Sequence, residues 1–271
     1  MKKRFIYGIF LLLILAVVSL IYILATKGGA LNGPESIAWD SEAKHFLVSN
    51  TLGNSIVTMT PEGKYGAFIK KGLNAPRGIA IWNKKLYVAD ENTLKIFDPA
   101  TGKLISSIPI PAAKMLNDVA LDKSGLVYLT DTGKDCIYLV SPDSAKVETI
   151  KSPLLKAPNG IIYDMPRDQM FIVGFSKRSP ILSLNTKDRN ITIFMDSIYS
   201  DLDGIAIDDL GRIYISSWSE DMIFMIPQEQ NRFIAQYKDI PNAADILYYL
   251  PNNELIVPQF NKNKVIRIPL E

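Results

Sequence analysis

Residues 201–215, DLDGIAIDDLGRIYI, have the pattern of a strand, a turn and a second strand. Residues 204–207 form a short apolar run with β-branched side chains, and residues 208–211 (DDLG) have the composition of a turn. Residues 212–215 alternate in polarity, as expected for a returning strand. The stretch predicts an antiparallel β-hairpin with Asp203 directly before its first strand.

The same unit occurs five more times along the chain. Its copies are ESIAWD from Glu35, RGIAIW from Arg77, NDVALD from Asn117, NGIIYD from Asn159 and ADILYY from Ala244. Successive units are separated by 42, 40, 42, 44 and 41 residues. A repeat of about 40 residues made of short strands is typical of a β-propeller blade. The sequence therefore predicts an all-β fold, a six-bladed β-propeller of four-stranded antiparallel blades.

The N-terminus has a different composition. A basic tetrapeptide, MKKR, precedes residues 5–25, which carry no charge. Because about 20 apolar residues span a bilayer as a helix, we predict an N-terminal transmembrane signal-anchor over residues 1–26, followed by the propeller over residues 27–271. A cleaved secretory signal is the alternative. Both place the propeller outside the cytoplasm, either anchored to the membrane or secreted.

Charge and cysteine content exclude several classes of protein. Of the 30 Lys and Arg, three precede the apolar segment, which leaves 27 against 28 Asp and Glu. The rest of the chain has no basic field for nucleic acid, and we expect a monomer. Cys136 is the one cysteine of the chain, so an internal disulfide is excluded, and we interpret it as an inert buried thiol.

Residues at the start of each innermost strand are the candidate site. These strands line the axial channel of a propeller, so their first residues form a ring around one mouth. The ring contains Glu35, Arg77, Asn117, Asn159, Asp203 and Ala244. Carboxylate and amide oxygens suit a hard divalent cation such as Ca²⁺. The alternative is that Asn and Asp before Gly merely form turns. We interpret the acids five residues further on as structural turn caps: Asp40, Asp122, Asp164 and Asp208.

A second ring follows from topology, since the end of each second strand lies beside the start of the first. We place Asn50, Asp90, Asp131, Phe175, Trp218 and Phe260 there. Half of this ring is polar and half aromatic, which predicts a cleft for a ligand with an apolar body and a polar end. The alternative is that the aromatics only pack blade against blade.

The sixth unit is one strand short of a full blade. We predict that residues 27–33 supply the missing strand by pairing with residues 264–269, which would cover two open sheet edges.

Four segments resemble the regucalcin/gluconolactonase family of six-bladed propellers, with paraoxonases and strictosidine-synthase-like proteins as more distant relatives. They are GPESIAWD with Glu35, LNDVALDKSG with Asn117, APNGIIYD with Asn159 and LDGIAIDDLGRIYIS with Asp203. The resemblance covers residue 33 to about residue 269. It implies that Glu35, Asn159 and Asp203 are metal ligands, that Asn117 is an auxiliary ligand or substrate contact, and that the activity is lactone hydrolysis.

The chain departs from that family at two points. Members that act on sugar lactones often have an Arg two residues before the third-blade Asn, where this chain has Met115. A paraoxonase-like mechanism uses a histidine pair, whereas this chain has one histidine, His45, which we interpret as structural. Specificity for sugar acids is therefore not implied.

Two classes of function remain open. The first is a divalent-cation-dependent hydrolase of a small lactone or ester, in which Ca²⁺, or Mg²⁺, Mn²⁺ or Zn²⁺, polarises the carbonyl and Asp203 and Asn117 are catalytic. Its substrate contacts would be Asn117, Met115, Phe175, Trp218 and Phe260. The second is a non-catalytic propeller that binds a ligand or a protein. A strictosidine-synthase-like condensation is a third, more distant alternative.

Overall fold

A computed structural model describes residues 30–270 of the chain. Within this range 23 strands form six antiparallel sheets, five of four strands and one of three. The predicted six-bladed β-propeller is confirmed. The predicted transmembrane segment, residues 1–26, lies outside the described residues. No helix within residues 30–270 is long and apolar enough to cross a membrane.

The first three blades are complete four-stranded sheets. Blade one contains β1 Pro34–Asp40, β2 His45–Asn50, β3 Ser55–Met59 and β4 Tyr65–Ile69. Blade two contains β5 Pro76–Trp82, β6 Lys85–Asp90, β7 Thr93–Phe97 and β8 Leu104–Pro109. Blade three contains β9 Leu116–Leu121, β10 Val127–Asp131, β11 Cys136–Ser141 and β12 Lys146–Lys151.

The last three blades follow the same order, and the sixth ends one strand early. Blade four contains β13 Pro158–Asp164, β14 Gln169–Gly174, β15 Ile181–Asn185 and β16 Ile191–Met195. Blade five contains β17 Leu202–Ile207, β18 Ile213–Ser217, β19 Met222–Ile226 and β20 Ile234–Tyr237. Blade six contains β21 Leu247–Tyr249, β22 Glu254–Gln259 and β23 Lys264–Pro269.

Successive side chains of a strand point to opposite faces of the sheet. Those of each second strand therefore pack alternately against the preceding and the following blade. Each of six buried apolar clusters therefore joins two adjacent blades, and the last cluster joins blade six to blade one. The clusters include Leu47 with Val88, Tyr87 with Val127, Tyr128 with Met170, Phe171 with Ile215, Tyr214 with Leu255, and Ile256 with Val48. Interblade burial closes the ring and brings the six inner strands around one axis.

The hairpin predicted within residues 201–215 forms as β17 and β18, with Ile207 opposite Ile213. Asp208 caps its turn: one carboxylate oxygen accepts from the backbone N–H groups of Leu210 (3.1 Å) and Arg212 (2.8 Å). The last turn residue, Gly211, has φ +76°, a conformation that favours glycine. The side chain of Asp208 therefore forms local hydrogen bonds that stabilise the turn, as the sequence indicated.

The other repeated acids also serve structure. Asp40 accepts from the backbone N–H groups of residues 42 and 43, and Asp122 accepts from those of residues 124 and 126. Asp164 differs, since its partners are the side chains of Arg167 and Gln169. Their structural interpretation is confirmed.

Each inner strand carries a β-bulge at the ring position. In blade one Pro34 lies opposite Asn50 and Ile37 opposite Val48, so Glu35 and Ser36 together face one residue, Ser49. The same shift occurs in blades two to five, and in blade six between Ala243 and Leu247. A bulge re-aims side chains at a strand end, which here affects two consecutive residues in every blade.

The predicted closing strand is not formed by residues 30–33; residues 27–29 lie outside the described part of the chain. The carbonyls of Asn32 and Gly33 accept from Leu52 and Thr51 of the first blade. Gly33 donates instead to the Asn263 side chain (2.8 Å) in blade six. That part of the prediction was wrong because the bulged start of β1 holds this segment against its own blade. Blades six and one are joined through their inner strands, where Asp245 N–H donates to the Glu35 carbonyl (3.0 Å).

Candidate functional site at the mouth of the axial channel

The starts of the inner strands enclose a cavity of about 180 Å³ at one mouth of the channel. Its lining residues come from all six blades: Glu35, Arg77, Met115, Asn117, Thr132, Asn159, Phe175, Asp203, Trp218 and Phe260. We call it the ring cavity. It brings together all eight residues that the sequence assigned to metal, catalysis or substrate. Ala244, the sixth ring position, is buried and does not line it.

Hydroxyl groups on the second strands hold the bulges in place. Thr130 accepts from the N–H of Asp118 (2.9 Å) and donates to the carbonyl of Asn159 in the next blade (2.6 Å). Ser216 repeats this between Gly204 and Ala244, at 2.8 Å each. A buried hydroxyl thus ties two ring positions together, which fixes the first residues of neighbouring inner strands relative to one another.

The glycines after Asn159 and Asp203 are required by close packing of neighbouring inner strands. A Cβ at Gly160 would lie 2.3 Å from the carbonyl oxygen of Asp203, and one at Gly204 would lie 2.5 Å from Cα of Asp245. Neither glycine is among the residues with positive φ. The alternative that Asn-Gly and Asp-Gly merely form turns is therefore wrong, because both glycines lie within inner strands.

A second layer of acids lies one residue deeper than the ring, and sequence reasoning missed it. Asp118 accepts from the backbone N–H groups of Val119 (2.7 Å) and Ile161 (2.8 Å). Asp245 accepts from the Ser36 hydroxyl (2.5 Å) and from Ile246 N–H (2.8 Å). The available signal was the position after each ring residue, which is Ser, Gly, Asp, Gly, Gly and Asp around the six blades.

Burial raises the pKa of all four channel carboxyls, and repulsion from nearby acids raises three of them further. For Glu35 and Asp203 desolvation is the largest cause, followed by nearby carboxylates, while the Arg77 guanidinium partly lowers both pKa values. Desolvation and repulsion also raise the pKa of Asp118, and burial raises that of Asp245 to about 6. Four acids share one guanidinium here, so a bound cation would relieve the repulsion between them and favour their ionised forms.

The donor set of the ring cavity fits a hard cation. Glu35 and Asp203 supply carboxylates and Asn117 and Asn159 supply amide oxygens, all from different blades and all buried. Within the described residues no group of three or more His, Cys, Asp and Glu side chains is arranged to hold a metal ion. Any cation here would therefore depend on the two amides as well as on the two carboxylates.

The predicted second ring is one residue out of register in its polar half. Asn50, Asp90 and Asp131 lie opposite the residue that precedes the ring position. The equivalent residues of blades four to six are Gly174, Ser217 and Gln259. The residues that correspond to the aromatics are Thr51, Glu91 and Thr132, of which Thr132 lines the cavity.

The side chains of Asn50, Asp90 and Asp131 form hydrogen bonds or ion pairs with nearby residues and do not face the cavity. Asp131 accepts from the N–H groups of Lys114 (2.8 Å) and Met115 (3.0 Å), which positions Met115 at the cavity wall. Asp90 accepts from Asn74 N–H (2.7 Å) and pairs with Lys95 (2.5 Å). Asn50 accepts from Asn32 N–H and donates to the Ser55 hydroxyl. The predicted polar half of the ring was therefore wrong, because all three side chains bond within their own blades or the segments leading into them and none lines the cavity.

The three aromatic residues form a continuous wall. The rings of Phe175 and Trp218 are 5.6 Å apart at 82°, and those of Trp218 and Phe260 are 5.9 Å apart at 48°. They pack on one another and also line the cavity, so their packing leaves room for contact with a ligand, and that role stays a prediction. The indole Nε1 of Trp218 is buried without a well-aligned hydrogen bond, although it lies close enough to Asp203 to lower the pKa of that carboxyl.

Two residues lie away from the ring cavity, as the sequence indicated. His45 lies opposite Asp40 in the register of β1 and β2, at the end of the blade away from the ring cavity. Cys136 is buried on β11, and burial raises the pKa of its thiol.

Comparison with known proteins gives one family. The SMP-30/Gluconolactonase/LRE-like region matches residues 33–243 of the chain. No curated protein sequence matches the chain.

Several solved structures share the architecture. A gluconolactonase from Xanthomonas campestris aligns with a TM-score of 0.72 at 15% identity, over 89% of this chain and 87% of that chain. Virginiamycin B lyase from Staphylococcus aureus gives 0.69 at 16%, over 91% and 83%. A luciferin-regenerating enzyme gives 0.68 at 17%, over 89% and 92%. At such identities the likeness shows the fold alone.

Proposed function

Because the chain belongs to the SMP-30/gluconolactonase/LRE-like family, we propose that it is a lactonase-type hydrolase that acts on a lactone or ester with the help of a divalent cation. The observation that carries this proposal is the ring cavity, where Glu35, Asn117, Asn159 and Asp203 meet from four blades. Two buried carboxylates and two amides in one small cavity form an arrangement of oxygen donors that turn formation alone does not require.

Glu35, Asn159 and Asp203 would hold Ca²⁺, or Mg²⁺, Mn²⁺ or Zn²⁺, with Asn117 as an auxiliary ligand. The raised pKa values of both acids support this assignment, since they reflect burial first and then repulsion from nearby acids, which Arg77 only partly offsets and a bound cation would relieve. When bound, the cation would polarise the substrate carbonyl.

The chain's own residues would complete the chemistry. Asp203 would accept a proton from the attacking water, since it is a carboxylate buried at the cavity wall. The Asn117 amide would donate a hydrogen bond to the carbonyl oxygen as negative charge develops there. Removal of one such group typically lowers turnover by about 10²- to 10³-fold.

The wall of the cavity supports a substrate with an apolar body. Phe175, Trp218 and Phe260 form an apolar surface that would exclude water from the reacting end. Met115 lines the same cavity from blade three, at the position where sugar-lactone enzymes of the resembling family often have an Arg. We infer a small lactone or ester that is less polar than a sugar lactone.

We also propose that the propeller acts as a monomer outside the cytoplasm, tethered by residues 1–26 or secreted after their removal. The basic start and the uncharged segment that follows support this. Resistance of the full-length protein to carbonate extraction would test the tether.

The decisive experiment compares Asp203→Asn with Asp40→Asn. Melting temperature and hydrolysis of lactones and aryl esters are measured for each protein with Ca²⁺ and with chelator. We expect a Ca²⁺-dependent rise in melting temperature in the wild type. A ligand whose free concentration is 100 times its Kd stabilises the native state by about 2.7 kcal/mol. That rise and the activity should be lost in Asp203→Asn, which removes one charge with little change in shape.

Asp40→Asn is the matched control. Asp40 lies at the far end of its strand and accepts both of its backbone bonds through one oxygen, which Asn retains. It should keep the Ca²⁺ effect. A rise that survives in Asp203→Asn would refute the metal site, and Ca²⁺ binding without turnover on the whole panel would favour the binding-module alternative.

A further inference from the structure

The axial channel has a second cavity at the mouth opposite the ring cavity. Its volume is about 400 Å³, and it is lined by the inner strands of all six blades. The residue two positions after each ring position forms a girdle inside it: Ile37, Ile79, Val119, Ile161, Ile205 and Ile246. We call this cavity the funnel. Its volume lies within the range of small-molecule sites, about 300–1,000 Å³.

The floor of the funnel is acidic although its walls are apolar. Among the described residues that line it, Asp118 and Asp245 are the charged ones. Both are held by hydrogen bonds from backbone N–H groups, and Asp245 also accepts from Ser36. These bonds fix the two carboxylates at the bottom of the funnel with no cationic side chain in its lining.

Arg77 does not compensate this pair from within the funnel. It lines the ring cavity, on the other side of the acidic layer, together with Glu35 and Asp203. A carboxylate pair in an apolar cavity is costly unless a positive charge pairs with it. The funnel is therefore complementary to a ligand that carries one positive charge and an apolar body.

The dimensions specify the ligand further. From Asp118 to Leu121, which also lines the funnel, three residues of strand span about 10 Å. Trp39, Trp82 and Tyr163 lie among the outer lining residues. A cationic nitrogen at the floor would thus carry a chain or ring system about 10 Å long, with its far end against aromatic side chains.

We propose that the funnel is a binding site for an amphiphilic organic cation, an aryl- or alkylammonium whose nitrogen pairs with Asp118 and Asp245. This proposal does not rest on the hydrolase, because the funnel and the ring cavity open at opposite mouths. A divalent metal ion has less to gain there, since the girdle of six Ile and Val side chains supplies no oxygen ligands.

Tryptophan fluorescence can distinguish the two mouths. The chain has three tryptophans, two at the funnel and Trp218 at the ring cavity. The full-length protein carrying Trp218→Phe is titrated with 4-phenylbutylammonium, the uncharged 4-phenylbutanol and the anionic 4-phenylbutyrate. We expect the ammonium to perturb the fluorescence of Trp39 and Trp82 and to bind at least about tenfold more tightly than the alcohol, with no binding of the carboxylate.

Asp245→Asn in the same background should weaken ammonium binding at least about tenfold and leave binding of the alcohol unchanged. Because the ligand series is measured on a protein with an intact funnel, the proposal stays testable even if Asp245→Asn does not fold. Equal affinity for ammonium and alcohol, absence of binding at millimolar ligand, or displacement of the ammonium by Ca²⁺ or Mg²⁺ with the same Asp245 dependence would each overturn it.

Discussion

The two mouths of the axial channel are built from the same six strands but have opposite chemistry. At the ring cavity the strand starts present Glu35, Asn117, Asn159 and Asp203, whereas two residues later the same strands present apolar side chains to the funnel. The two cavities are separated by one layer that contains Asp118 and Asp245. A single repeated strand therefore produces two different sites, and the bulge at its start marks the boundary.

Gly204 lies in the layer that separates the two cavities, and its substitution is expected to have the largest effect on stability. Gly204→Ala would place a Cβ 2.5 Å from Cα of Asp245 and 2.6 Å from the carbonyl of Ala244. Backbone atoms cannot yield as a flexible side chain does, so we expect a loss of about 3 kcal/mol or more in the free energy of unfolding. Urea denaturation followed by circular dichroism measures it.

The control is Gly63→Ala, at a turn glycine with φ +83° and no atom within 4 Å of the new Cβ. It should cost only about 1 kcal/mol, from backbone conformation alone. Equal losses in the two variants would show that the layer is not tightly packed and that the two cavities are not rigidly separated.

Asp208 tests whether the far end of the strands is purely structural. Asp208→Ala removes the turn cap and breaks the partly buried 2.5 Å ion pair between Asp208 and Arg212. We expect a loss of about 2 to 3 kcal/mol, measured by denaturation with and without Ca²⁺. The loss should be the same in both conditions, whereas a loss that depended on Ca²⁺ would link the turn acids to the ring cavity.

The smallest effect concerns pH. Burial raises the pKa of Asp245 to about 6, above the value of about 3.9 expected in the unfolded chain. The folded state thus favours the protonated form, so the stabilisation from this group is complete below about pH 4 and is lost as pH rises through about 6. With chelator, the stability of the wild type relative to Asp245→Asn should fall by about 2 kcal/mol over that window.

The other groups that face Asp245 set the controls. Burial raises the pKa values of Glu35, Asp118 and Asp203 as well, and the charge of Asp245 is a further cause of each shift. Asp245→Asn also removes this repulsion, so the difference between wild type and Asp245→Asn reports on residue 245 together with the three acids coupled to it. A difference that is constant from pH 4 to pH 7 would contradict the shift.

Sequence alone determined the fold and the ring. A unit repeated six times at about 40-residue spacing predicts six blades, because each short hairpin can bury its faces only against the next. The start of each inner strand is marked by its own residues, so Glu35, Asn117, Asn159 and Asp203 could be placed together from spacing. Turn caps such as Asp208 are equally local and were also predictable.

Tertiary structure decided what depends on contacts between blades. The bulge inserts one residue between Pro34 and Ile37 and shifts the opposing strand by one position, which a pattern of period two does not reveal. The polar half of the second ring was therefore misplaced, and the layer formed by Asp118 and Asp245 was missed. The raised pKa values of Glu35, Asp118 and Asp203 could not be predicted from local sequence either, because they arise from burial and from acids about 40 residues or more away along the chain.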